Sequence, residues 1–209
     1  MDEWGLPGGG QVISLCVDLN VWVRYLLGSR RGNTRQTAAD TIVEAARSGR
    51  SAAGPVQLVV SHTMLSRLED VLIRLAFPSG DASAFCSLIG AFARRGPYGV
   101  APHLVPGGGT SPTAESSMPI YNPYDPSIVP PRGDDEDGRV LDTAVAGRAH
   151  ILATYNFGDF TSPNTVILEP GHVQVFQAAP VSVLIMHADR VADYLRTGHL
   201  SATSLRQIP

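Results

Sequence analysis

Residues 12–17 (Val12-Ile13-Ser14-Leu15-Cys16-Val17) form an almost unbroken apolar run that stops at one carboxylate, Asp18. A short run without polar alternation reads as a strand buried on both faces, the kind found in parallel sheets. Parallel strands need crossover connections, usually helices, which cover the two faces of the sheet. The rest of the chain supplies them. Apolar spacing predicts helices over residues 20–27, about 34–47, and 61–75, where Ser61 caps Met64, Leu65, Leu68, Val71, Leu72 and Leu75 at helical spacing. Further helices are predicted from Asp81 to about Arg95, after the acidic run 134–137, and from about Val181 to Arg196. Residues 56–60, 151–153 and about 173–176 read as strands. Strand–helix alternation of this kind predicts an α/β fold, a three-layer α/β/α arrangement around a mainly parallel sheet.

One window breaks the pattern. Residues 97–133 hold nine of the chain's 16 prolines and the triplet Gly107-Gly108-Gly109. A short strand at about 101–105 fits inside it, and the remainder reads as a loop that is either functional or poorly packed, with Tyr121 or Tyr124 as docking points. The expectation is one domain over residues 11–200 carrying this long insertion.

Composition narrows the function classes. A charged fraction of 17% and a hydrophobic fraction of 44% suit a folded chain rather than a disordered one. The net charge of −3 excludes a globally basic nucleic-acid binder, so any recognition must be local. All 16 basic residues are Arg. Cys16 and Cys86 match neither a metal-binding spacing nor a disulfide framework. No stretch is long enough to span a membrane, and Asp2 and Glu3 stand where a signal peptide needs positive charge. The expected location is the cytoplasm, with no membrane partner.

In a parallel sheet, ligands gather outside the carboxyl ends of the strands. Three segments bring oxygen donors there: Asp18 with Asn20 two residues on, the run Asp134-Asp135-Glu136-Asp137, and Thr154-Tyr155-Asn156-Phe157-Gly158-Asp159-Phe160. Carboxylates and amides without Cys or paired His are what Mg²⁺ or Mn²⁺ prefer. Plainer roles exist for each: Asp18 as a helix cap, Asp135 and Glu136 as dipole partners of a helix start, residues 154–159 as turn chemistry. Arg24, Arg30, Arg31 and Arg35 form either a solvated helix end or a phosphate-binding rim. A generic nucleotide-binding fold is disfavoured, because no Gly-rich phosphate loop follows the first strand.

Together these residues resemble the PIN domain family. Val17-Asp18-Leu19-Asn20-Val21-Trp22-Val23 looks like its opening motif, and Asp137-Gly138-Arg139-Val140-Leu141-Asp142-Thr143-Ala144 is similar to its central helix. Residues 146–160 resemble the turn, strand and Thr-x-(Asp or Asn)-x-x-Asp-Phe signature that follow. The resemblance covers roughly residues 12–176 apart from the long loop. It implies a metal-dependent ribonuclease, often the toxin of a bacterial toxin–antitoxin pair, with RNA as substrate, an antitoxin protein as partner and a homodimer as a further possibility. It places Asp18, Asp137, Asn156 and Asp159 in the catalytic site, Asp18, Asp137 and Asp159 on the metal, and Asn20, Asp134 and Thr154 in support. Two positions depart from the family. Arg67 stands where a Glu is usual, and Asn156 stands where a fourth acid is usual; fewer carboxylates mean a weaker hold on the metal. The alternative is a catalytically impaired scaffold that binds RNA or a protein.

Overall fold

The computed structural model describes residues 6, 10–30, 32, 36–104, 135–162, 164–178 and 181–200. Among these, seven strands form one sheet in the order β2-β3-β1-β4-β7-β6-β5. The strands are β1 (Ile13–Val17), β2 (Arg50–Ser51), β3 (Gly54–Val59), β4 (Ile151–Thr154), β5 (Thr165–Glu169), β6 (Val173–Ala178) and β7 (Val181–His187). The four central strands β3, β1, β4 and β7 are parallel, and the pairings at both edges are antiparallel. Among the described residues six helices pack around the sheet: α1 (Leu19–Arg30), α2 (Ala38–Ser48), α3 (His62–Arg74), α4 (Ser79–Arg95), α5 (Asp135–Ala146) and α6 (Ala188–Thr197). This is the α/β architecture that the strand–helix alternation predicts.

β1 is buried along its whole length, as its apolar run requires. Its central position follows, since only an inner strand with helices over both faces hides every side chain. The Cys16 thiol points at the Val140 carbonyl of α5 (3.9 Å), so α5 lies over the face that carries Ser14 and Cys16. α2 opens on a capping box: Thr37 Oγ1 accepts from the Asp40 amide while the Asp40 carboxylate accepts from the Thr37 amide (2.7 Å). That box starts the helix at residue 38 rather than about 34, and Gly49 ends it in the left-handed region at φ +67°.

Two strands depart from the sequence reading. Residues 181–187 form strand β7, not the first turns of the last helix, which starts at Ala188. Its register against β4 runs from Ile151↔Leu184 to Thr154↔His187, and Val183, Leu184, Ile185 and Met186 are buried between β4 and β6. A run of β-branched and long apolar residues fits that two-sided slot, whereas a helix would expose part of it. Residues 165–169, read as loop, form the edge strand β5. Of the expected strand at 101–105, His103 makes one isolated bridge to Ser61. Residues 105–134, with most of the Pro-rich window, Tyr121, Tyr124 and Asp134, lie outside the described residues, as do Arg31 and Arg35.

β1 and β4 are also tied by a histidine. The Ser14 amide donates to His150 Nδ1 (3.0 Å), and the His150 amide donates to the Ser14 carbonyl (2.8 Å). Nδ1 must stay unprotonated to accept, and burial lowers the His150 pKa below its ordinary value. Below about pH 6.5 the unfolded chain therefore binds this proton more readily than the folded one, and stability falls as pH falls. His150→Asn keeps an acceptor oxygen without titrating. The melting temperature of the wild type should drop more than that of the variant between about pH 7.5 and pH 5.5; parallel profiles would remove His150 as the cause.

Candidate active site

The carboxyl ends of β1 and β4 meet at Asp18. This residue directly follows β1, and its amide donates to the Ala153 carbonyl of β4 (3.0 Å), so β-ladder geometry fixes its backbone. Its side chain is 3% exposed. Thr154, the last residue of β4, donates its hydroxyl to Asp18 Oδ2 (2.7 Å). Asn20, in the first turn of α1, donates Nδ2 to the same oxygen (2.6 Å) and to Thr154 Oγ1 (3.2 Å). The other end of that amide, Oδ1, accepts from the Tyr155 amide (3.1 Å). Asn20 is thus fully engaged in orienting, and a buried carboxylate is held in one direction by two donors.

The same hydroxyl of Thr154 also accepts from the Asn156 amide (2.8 Å). The Asn156 side chain does not turn inward. It donates to Asp159 Oδ2 across a short 3₁₀ turn (Phe157–Phe160), and both residues are exposed. The structure therefore brings buried Asp18 and Thr154 and half-buried Asn20 into one cluster. It joins Asn156 to that cluster through its backbone and pairs the two distal side chains, Asn156 and Asp159, with each other. Asp137 lies in the first turn of α5, and its side chain, like all of Asp134, lies outside the described residues.

The donor types suit a hard divalent cation: carboxylate, amide and hydroxyl oxygens at a strand end. Among the described residues no three His, Cys, Asp or Glu side chains form a group able to hold a metal ion. Asp18 is the buried carboxylate of the cluster. Burial, reinforced by the neighbouring Asp18 charge, pushes the Cys16 thiol far above its ordinary pKa. A thiol so buried is protonated at neutral pH and is no nucleophile.

On α3, Arg67 is half-buried and engaged, and the next residue, Leu68, is in the core. Glu69 faces α4. Its charge adds to burial in pushing the Cys86 thiol up to about 11. Arg74 reaches the Asp70 backbone carbonyl (3.4 Å). His62 is exposed, and its amide bonds to the His103 carbonyl, a structural role.

A second feature adjoins the cluster and was not legible in the sequence. A cleft of about 1130 Å³ opens between α1, the start of α2 and the β7–α6 junction. Arg24 lies over the Tyr155 ring, 4.0 Å from its centroid, and His187 meets that ring edge-on at 5.4 Å. The phenol oxygen of Tyr155 lies by the Ala39 amide at the start of α2.

A family model for the PIN domain matches residues 14–158, and the chain belongs to that family. PIN domains are generally nucleases, and they generally use divalent metals. No curated protein and no solved structure matches the chain. Among the described residues no helix is long and apolar enough to cross a membrane.

Proposed function

We propose that the chain is a metal-dependent ribonuclease that hydrolyses RNA phosphodiester bonds, with Mg²⁺ or Mn²⁺ as cofactor. The observation that carries this reading is the buried carboxylate at the end of the central parallel strand, oriented by Asn20 and Thr154. A carboxylate buried at a strand end and held in one direction is oriented for a use of its charge. Asp18 would hold the metal together with Asp137 and Asp159, while Asn20 and Thr154 fix the direction of its lone pairs. When bound, such a cation supplies a nucleophilic water at neutral pH and offsets charge developing on the phosphodiester. The toxin role within a toxin–antitoxin pair, in the cytoplasm, belongs to the same proposal; co-purification with a small DNA-binding protein encoded beside it is the expected result.

Incubation of the full chain with single-stranded RNA tests the activity. Cleavage is expected with Mn²⁺ or Mg²⁺ and none with excess chelator; cleavage that chelator leaves untouched would overturn the metal role. The second reading, a catalytically impaired scaffold, draws on Arg67 in place of an acid and on the Asn156 amide being paired with Asp159. That reading predicts RNA or protein binding with no cleavage under any of these conditions.

A further inference from the structure

The cleft beside Asp18 has a charge arrangement that selects its occupant. Asp189 faces His187 Nδ1 (3.5 Å), and Asp193 pairs with Arg196 (3.4 Å), which also donates to Thr41 (2.7 Å). Among the described residues no carboxylate engages Arg24, which is exposed and lies over Tyr155. A guanidinium resting on an aromatic face is oriented without using its N–H fork, which stays available for two parallel bonds to phosphate oxygens. With Asp193 paired to Arg196, Arg24 beside Asp189 suits a singly charged phosphodiester better than a doubly charged terminal phosphate.

The cleft wall suits the rest of a nucleotide. Tyr155 and His187 line it as two rings that meet edge-on (5.4 Å), and His172, outside the lining, backs His187 in the same way (5.8 Å). Burial lowers the His187 pKa, so near neutral pH this ring is an uncharged surface. Asp189 offers acceptor oxygens to base amines or ribose hydroxyls. The position is fixed relative to Asp18, because Tyr155 follows Thr154 directly and bonds Asn20.

We propose that this cleft seats the nucleotide adjoining the cleaved phosphodiester, with Arg24 on a neighbouring phosphate and the Tyr155–His187 corner against the base. The proposal rests on the ribonuclease reading for its register on the strand, and its test is made without metal.

Binding of a short fluorescein-labelled single-stranded RNA to the full chain is measured by anisotropy in chelator, across salt concentrations. Arg24→Ala should weaken binding about fivefold to twentyfold and lower the salt slope by about 0.7, the value for one phosphate on a single strand. Arg24→Lys, which keeps the charge but not the fork, should keep the slope and recover only part of the affinity. Equal affinities and slopes for wild type and Arg24→Ala would overturn the proposal. So would adenosine 5′-monophosphate displacing the RNA as well as a dinucleotide joined by one phosphodiester does. If Arg24→Ala loses RNA while the wild type never cleaves it, the cleft stands as an RNA site and the cleavage reading falls.

Discussion

Asp18→Asn is expected to reduce Mn²⁺- or Mg²⁺-dependent RNA cleavage by more than about a hundredfold, since losing even an outer partner of a metal ligand costs about 10–100-fold. The fold should survive. The amide oxygen that replaces a carboxylate oxygen can still accept from Asn20 and Thr154, which now bond Asp18 Oδ2 at 2.6 and 2.7 Å. The stability change should therefore stay within about 1 kcal/mol, the worth of one ordinary hydrogen bond. What the substitution removes is the negative charge, and with it the hold on a dication that dehydrates reluctantly. Cleavage rate and melting temperature measured on the same preparation separate the two effects. Near-normal cleavage by Asp18→Asn would remove Asp18 from the reaction. A large drop in melting temperature would make it a structural residue instead.

Trp22→Ala should destabilise the chain by about 3–5 kcal/mol, the usual cost of deleting a buried large aromatic. Trp22 is 2% exposed, meets Phe85 edge-on at 6.0 Å, and donates its indole N–H to the Val17 carbonyl (3.2 Å). That last bond ties α1 to the residue preceding Asp18, so packing and site geometry share one anchor. Trp22→Phe keeps most of the ring and loses the bond, and its cost should be nearer about 1–2 kcal/mol because the Val17 carbonyl loses its donor. Urea unfolding of the three proteins checks the order. A Trp22→Ala variant as stable as the wild type would contradict the packing described around α1.

Much of this architecture is legible in the sequence for physical reasons. Residues 12–17 read as a two-face-buried strand because no polar side chain interrupts the run except Ser14. The helix after Ser61 reads clearly because its cap and its apolar stripe agree, and the Ser61 hydroxyl does accept from the Met64 amide (3.2 Å). Residues 181–187 misled the reading because a short apolar run has no periodicity to separate strand from helix, and a true amphipathic helix follows it directly. β5 gave no signal at all: an edge strand with Val166 and Ile167 half-exposed carries no buried face to pattern. The link between Asp18, Asn20 and Thr154 was foreseeable from strand ends alone. The Asn156 amide finds Asp159 three residues on, a local pairing that spacing permits as readily as a shared site. The Arg24–Tyr155–His187 cleft depends on β7 lying beside β4, so a sequence reading that made β7 a helix could not place His187 there.

Calorimetric titration of Mn²⁺ into the wild type, Asp18→Asn and Arg67→Glu tests the central claim most directly. Arg67→Glu replaces a cation on α3 with a carboxylate and changes local charge by about two units, which strengthens any nearby divalent site in proportion to the added attraction. The account predicts measurable Mn²⁺ binding by the wild type, loss of that binding in Asp18→Asn, and tighter binding with faster RNA cleavage in Arg67→Glu. Absence of Mn²⁺ binding by the wild type, with none gained by a folded Arg67→Glu protein, would contradict it and leave the non-catalytic scaffold.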